Sequence, residues 1–499
     1  MLAKSGECGS NRRVRCVWYP AVLLALATPS LSACGDDNAA AADTQADGST
    51  SGDGDGDTDG DTGDGDGDGD ELAARPNWHE DVAPLVYASC VGCHFDGGIA
   101  PFALETYAQA SGWAAIMSDA VAAEVMPPWG ALETADCQPD HAWRDDIRLS
   151  DAQKQLFADW VANATPEGDP ADAVALPEPP NLELQDATAI LQNPAPFTVS
   201  TGPDSFICVA IDPQLDQDVW ITGVQMVPDN AEVLHHVLMY VDTLALSDDM
   251  IDENGTFPCA GFVSFNGSMQ IGTWVPGAVP TQTPTDVGFP TPAGSRIILA
   301  YHYHPTGAGD EIDQSSVALR WTETKPAVNA FMGLFGNAQT AGAGLEPGPN
   351  DPDGTPVFMI PPNVSDHTET MSVTLPDALP PTELFTLGNH MHYVGVDMRA
   401  WIERDGEELC LLQTPRWDFN WQRNYDIDAP LGQMPVVIGG DVVRIRCTYD
   451  NTMNNPFLVK ALAEQGLSEP ITVLLGEESL DEMCLLLFGL ATNLPLDSL

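Results

Sequence analysis

The chain of 499 residues holds 44 glycines and 41 prolines, and its 74 acidic against 18 basic residues give a formal charge of −56. Such a surface excludes nucleic acid and an anionic bilayer face as partners, because either needs a concentrated basic patch. With 43% apolar residues the chain is no disordered polyanion, and at roughly 100–200 residues per domain it holds material for two or three cores, not one.

The first residues read as an export signal. Arg12, Arg13 and Arg15 precede an apolar run over 17–27, too short for a bilayer span of about 20 residues but suited to a signal peptide. It ends in Leu31-Ser32-Ala33-Cys34, which resembles a bacterial lipobox. The expectation is a signal over 1–33, a lipid anchor on Cys34 as the chain's membrane contact, and an extracytoplasmic location, periplasmic or on the cell surface. Residues 35–70 follow as an acidic Asp/Gly linker, and from Gly52 to Asp70 no apolar side chain is present to seed a core. Asp55, Asp57, Asp59 and Gly60 echo a calcium loop, but its closing Glu is missing, so a solvated spacer is the stronger reading.

Of eleven cysteines, Cys8 and Cys16 leave with the signal and Cys34 is the anchor. Cys90, Cys93, Cys137, Cys208, Cys259, Cys410, Cys447 and Cys484 remain, and in an oxidising compartment they are disulfide or cofactor cysteines. Cys90-Val91-Gly92-Cys93-His94 has the pattern of covalent haem c attachment: two thiols to add across the vinyl groups and an adjacent imidazole as proximal iron ligand. Helical patterns over 78–87 and 107–125 flank it, and a third covers 150–161. Met126 precedes Pro127 and Pro128, which cannot continue a helix, and it is the sixth-ligand candidate, with His141 second. Residues 71–166 thus resemble a small, mostly α, c-type cytochrome domain.

A Pro- and Ala-rich linker occupies 167–184. Beyond it, alternating β-branched segments over 219–226, 237–240, 296–303, 317–321 and 442–447, separated by turn residues, predict antiparallel sandwiches. The length calls for two, over 185–327 and 328–499, divided near Lys325-Pro326. Two histidine groups stand out, His235-His236 and His390-Met391-His392, with His302-Tyr303-His304 between them. On a strand His390 and His392 face one side and suit a single metal. His235 and His236 face opposite sides and share one ion only through a bulge or by using different ring nitrogens.

In chain order, Leu234-His235-His236-Val237-Leu238, Leu299-Ala300-Tyr301-His302-Tyr303, Asn389-His390-Met391-His392, Arg446-Cys447-Thr448-Tyr449-Asp450 and Asp481-Glu482-Met483-Cys484 resemble the ascorbate-dependent type II copper monooxygenases, the family of dopamine β-monooxygenase and peptidylglycine α-hydroxylating monooxygenase. The resemblance spans the strand-rich part of the chain. It implies two β-sandwich (jelly-roll) domains, each with one copper, facing each other across an open cleft. His235, His236 and His302 match the electron-transfer site. His390, His392 and Met483 match the catalytic, oxygen-binding site, where a thioether favours Cu(I).

The resemblance also implies Cys447–Cys484 and Cys208–Cys259 disulfides, with Met483 on a strand facing away from Cys484; Cys137 and Cys410 are left over with their pairing open. His304 is an alternative to His302, His367 reads as a surface or outer-shell residue, and 418–422 as a packed strand with an amide or two facing the cleft. The implied reaction hydroxylates a C–H bond of a small molecule with O2 and two electrons, from ascorbate, a periplasmic donor, or the fused haem acting on the copper at His235, His236 and His302. Gly388 and Leu487 stand where the peptide-hydroxylating branch has its carboxylate-anchoring Arg and Tyr, which favours a small, apolar or aromatic substrate over a peptide. A non-catalytic copper-binding, electron-transfer lipoprotein is the alternative function.

Overall fold

A computed structural model describes residues 75–493 except 181, 260 and 479. The signal, the Cys34 anchor and the Asp/Gly run lie outside the described residues.

Three short helices come first: α1 (Ala83–Ser89), entered through a π-helical turn at Trp78–Val82, α2 (Tyr107–Ala122) and α3 (Asp151–Ala162). Thr106 with Gln109, and Ser150 with Gln153, form reciprocal capping boxes that fix the starts of α2 and α3. The helix expected to reach residue 125 stops at Ala122, because Glu124 takes a left-handed φ of 55°. Trp78, Val86, Ala110, Phe157 and Trp160 pack as a small separate core. The first part of the expected linker folds back on this unit: His79 N–H donates to the Glu167 carbonyl and Val174 N–H to that of His79, each at 3.2 Å.

The rest is predominantly β, in large, mostly antiparallel sheets. The first half has β1 (Ser205–Ile211), β2 (Val219–Val227), β3 (Leu234–Asp242), β4 (Ser268–Trp274), β5 (Val287–Thr291), β6 (Arg296–Tyr303) and β7 (Ser316–Thr322). One layer runs β1-β6-β3-β4 and the other β7-β2-β5, and their inward side chains share a core. The second half has β8 (Val328–Gly336), β9 (Val364–Thr374), β10 (Thr382–His390), β11 (Gly395–Arg404), β12 (Glu407–Thr414), β13 (Asn424–Asp426), β14 (Val442–Asn451), α4 (Pro456–Glu464) and β15 (Leu485–Thr492). Here β9-β14-β11-β12 pack against β8-β15-β10-β13, and β14 alternates strictly between buried and half-buried side chains.

The two halves are not hydrogen-bonded separately. β8, the first strand after the expected boundary, pairs with β15 but also runs parallel to β5 and meets β4 at Met332 and Gln270.

The segment between α2 and α3 docks on the second half, not on the first half that follows it in sequence. Trp143 bridges to Ile427, Arg144 ion-pairs with Asp426, and Trp129 lies edge-on to Tyr425 at 5.2 Å. Cys137 and Cys410, left without assigned partners by the sequence, are bonded to each other across this seam. Cys208–Cys259 and Cys447–Cys484 are the other disulfides among the described residues. Three disulfides fit an oxidising, extracytoplasmic compartment. Among the described residues, no helix is long and apolar enough to cross a membrane.

Candidate metal centres

His235, His236 and His302 meet on neighbouring strands β3 and β6. His302 is paired with His236 and Tyr303 with Leu234, so His235 is an extra residue in β3. This bulge brings two adjacent imidazoles to one side, which a regular strand forbids. One nitrogen from each of the three rings lies within 4.8 Å of the others, and Nδ1 of His235 stands 3.1 Å from Nδ1 of His236.

Nε2 of His302 is held at 2.7 Å by Asp204, which leaves its buried Nδ1 without a partner and aimed at the cluster. The same carboxylate takes Nδ1 of His304 at 2.7 Å, so His304 sits on Asp204 instead of replacing His302. Burial, then the charge of neighbouring rings, pushes His235 and His236 well below the usual imidazole range and keeps them in the neutral, ligating form. Three imidazoles, one oriented by a carboxylate, fit a bound copper or zinc.

The second group forms where β10 and β15 end together. His390 closes β10 opposite Leu485, and His392 and Met483 each lie two residues from that pair. Both lie just off the strands, which corrects the expectation of Met483 on a strand. Glu482, fully buried, locks this junction: its carboxylate accepts N–H bonds from His392 and Met483, each at 2.8 Å, and from Val394 and Gly395, each at 3.2 Å. Burial pushes this carboxyl up to about 8 against the pull of those four donors.

Nδ1 of His390 meets the Gln422 side-chain oxygen at 2.6 Å and Nδ1 of His392 the Asp481 carbonyl at 3.0 Å, leaving each Nε2 for a ligand. Burial, and after it the neighbouring His390, holds His392 down at about 3, so it is neutral. The Tyr449 hydroxyl donates to the Met483 carbonyl at 3.0 Å, and Cys447–Cys484 ties the next residue to β14. Two neutral imidazoles and a thioether are a donor set suited to copper, and above all to Cu(I).

Both groups line one cavity of about 500 Å³ whose remaining walls, including Met332, Leu485 and Leu487, are largely apolar. Between the two groups stands Phe419, its ring 5.1 Å from that of His235 and 6.2 Å from that of His392. It opens a short 3₁₀ turn (Phe419–Trp421) where a strand was expected, because the Asp418 side chain caps Asn420 N–H and curls the chain. At Gly388 a Cβ would meet the Asn424 side-chain oxygen at 2.5 Å, so no larger residue fits there unless Asn424 moves.

Cys90 and Cys93 are free and half-buried in the turn after α1. His94 follows with Nδ1 at 3.0 Å from the Phe102 carbonyl and its ring against Phe102 at 4.7 Å, leaving Nε2 open. Burial and the second thiol push Cys90 up to about 12. Two free thiols beside an oriented imidazole fit a covalent haem. Met126 lines a cavity of about 170 Å³ with Trp129, Trp417, Trp421 and Arg423, and the three motif residues do not border it. His141 lies edge-on to Trp143 at 4.5 Å in the docked segment, and His367 is buried against Glu369 at 2.7 Å, not on the surface.

No protein-family model and no curated protein matches this chain. Among solved structures it is similar to the major capsid protein P2 from bacteriophage PM2, at 10% identity over 58% of this chain and 97% of that one, with a TM-score of 0.22. A peptide-N(4)-(N-acetyl-β-D-glucosaminyl) asparagine amidase shares 10% identity over 62% and 97%, with a TM-score of 0.27. A Paenibacillus xanthan lyase shares 8% over 62% and 26%, with a TM-score of 0.16. Likenesses this shallow bear on neither the fold nor the site.

Asp204, Gln422 and Glu482, which position the ligand groups, were not singled out by the sequence; Glu482 and Gln422 lie inside motifs that were.

Proposed function

We propose that the protein is an extracytoplasmic copper monooxygenase, lipid-anchored through Cys34, that hydroxylates a C–H bond of a small, largely apolar organic molecule. The balance is substrate plus O2, two electrons and two protons, giving hydroxylated product and water. The observation that carries this reading is the convergence of His390, His392 and Met483 on the cavity that His235, His236 and His302 also line. Copper, when bound at the two groups, supplies one-electron redox steps and O2 activation. The two strand halves are then the family's two copper domains.

The chain's own residues prepare the site. Glu482 fixes the backbone on both sides of the sulfur-containing group through four N–H bonds, so its ligands are set before metal arrives. Gln422, Asp481 and Asp204 decide which ring nitrogen of His390, His392 and His302 faces the cavity. Leu485, Leu487 and Met332 offer an apolar seat that excludes water, and Gly388 offers no anchor for a peptide carboxylate.

The N-terminal helical unit belongs to the same reading as a c-type cytochrome, with haem on Cys90 and Cys93, His94 as proximal ligand and Met126 as sixth-ligand candidate. Ascorbate or a periplasmic donor supplies the electrons. Protein produced in an oxidising compartment should hold two coppers and one covalent haem, and should consume O2 in step with product formation. Metal binding without coupled O2 consumption would leave a copper electron-transfer protein instead.

A further inference from the structure

The cavity of about 170 Å³ beside Met126 lies where the docked segment meets the second half, a kind of boundary at which ligand sites are common. Met126 and Trp129 come from the docked segment, and Trp417, Trp421, Arg423 and Tyr425 from the second half. Aromatic rings thus make most of the wall, and their polar tips are engaged. The Trp129 indole N–H donates to the Ala131 carbonyl at 2.8 Å and that of Trp417 to the His392 carbonyl at 3.2 Å, while the Tyr425 hydroxyl accepts Gly130 N–H at 3.0 Å. What these three side chains offer a ligand is ring surface.

The charges around the cavity do not balance. Arg416 pairs with Glu124 at 2.8 Å, and Asp418 is spent on capping Asn420. Arg423 has no such partner. Its guanidinium lies over the Trp129 ring at 4.7 Å, its buried Nε makes no hydrogen bond, and among the described residues no carboxylate forms an ion pair with it. Of the carboxylates whose charge reaches it, Asp426 and Asp145 are both held by Arg144. In a chain with 74 acidic against 18 basic residues, a guanidinium left unpaired stands out. Burial has stripped it of water, so an anion arriving there restores the contacts that desolvation removed.

We propose that this cavity is a second ligand site, distinct from the space between the histidine groups, and that it takes a small aromatic carboxylate. The ring lies among the tryptophans and the carboxylate meets the guanidinium fork of Arg423. At about 170 Å³ the space is smaller than the roughly 300–1,000 Å³ of most ligand pockets, which limits the occupant to about one ring. The site shares a wall with the sulfur-containing group: Trp417 holds the His392 carbonyl, and Asn389, next to His390, lines both cavities. The binding itself needs neither metal nor haem, so it goes beyond the copper reading and stands or falls apart from it.

The test titrates the full chain with benzoate, benzamide and benzamidine, three molecules of one shape with a negative, no and a positive charge. Calorimetry and quenching of tryptophan fluorescence read the binding, and metal and haem contents of the same samples report separately on the functional reading. Benzoate should bind about tenfold or more tightly than benzamide, the scale of hydrogen bonds to a charged group, and benzamidine should not displace it. Arg423→Gln should bring benzoate down to the level of benzamide, and Arg423→Lys, which keeps the charge and loses the fork, should fall between. Arg423 also borders the larger cavity, so Trp421→Ala locates the site: this partly exposed side chain lines only the smaller one, and its loss should weaken benzoate several-fold at an unchanged thermal midpoint. Equal affinity for benzoate and benzamide, no binding of benzoate, or binding that survives either Arg423→Gln or Trp421→Ala overturns the proposal.

Discussion

The side chain of Glu482 accepts the backbone N–H of both His392 and Met483 at 2.8 Å, each two residues from the His390–Leu485 pair that joins β10 to β15. A glutamine there offers one acceptor oxygen, and its amide N–H groups meet backbone donors. Glu482→Gln is expected to lower stability by about 1–3 kcal/mol, the cost of leaving a buried backbone donor without its acceptor. Urea unfolding should show an earlier midpoint at unchanged slope; an unmoved midpoint would mean that the carboxylate does not hold the junction.

Met483→Leu keeps side-chain volume, so it should cost under about 1.5 kcal/mol of stability. The sulfur is what the variant removes. X-ray absorption of the Cu(I) protein should lose its sulfur scatterer, and turnover should fall on the order of a hundredfold, or about 2.7 kcal/mol of barrier. Retained turnover would refute Met483 as a ligand.

Asp204 holds Nε2 of His302 and, through its other oxygen, Nδ1 of His304. Asp204→Asn keeps the shape and weakens the bond that turns Nδ1 of His302 toward the cluster. Copper affinity at the three-imidazole site should drop about 10- to 100-fold, the usual range for such outer partners. Titration against a competing chelator, with the sulfur-containing site as internal reference, reads this directly. Equal weakening at both sites would show general loosening instead.

Patterns with a short period were legible in the sequence. The 296–303 strand is where the β-branched pattern placed it, and β3 contains the bulge that was one of the two ways offered for the adjacent pair His235-His236 to share an ion. What was hidden is what depends on pairing across long separations. Asp204 is 98 residues from His302, Gln422 is 32 from His390, and Glu482 is 90 from His392; no local period marks such partners. The docked segment carrying Trp129 and Trp143 lacks any regular period, because it is shaped to the surface of the second half, whose core these two residues join.

That segment is cross-linked by Cys137–Cys410, which closes 273 residues of separation. Chain-entropy arguments for so long a loop give roughly 5 kcal/mol of stabilisation. The paired change Cys137→Ser with Cys410→Ser should lower the thermal midpoint and open residues 129–148 to limited proteolysis, while Cys208–Cys259 and Cys447–Cys484 stay protected. Proteolytic resistance equal to that of the natural chain would show that the noncovalent seam suffices.

The seam should also weaken in mild acid. Burial pulls His141 from its ordinary value of 6.5 down to about 4, and its Nε2 is buried without a partner. The unfolded chain therefore takes up the proton more readily than the folded one. The stability owed to the neutral ring is complete above pH 6.5 and drains away as the pH falls toward about 4. His141→Phe keeps an aromatic edge against Trp143 and cannot be protonated. Thermal midpoints of the natural chain and this variant should diverge as the pH is lowered through that window, with the natural chain losing more. Parallel curves would place His141 in water.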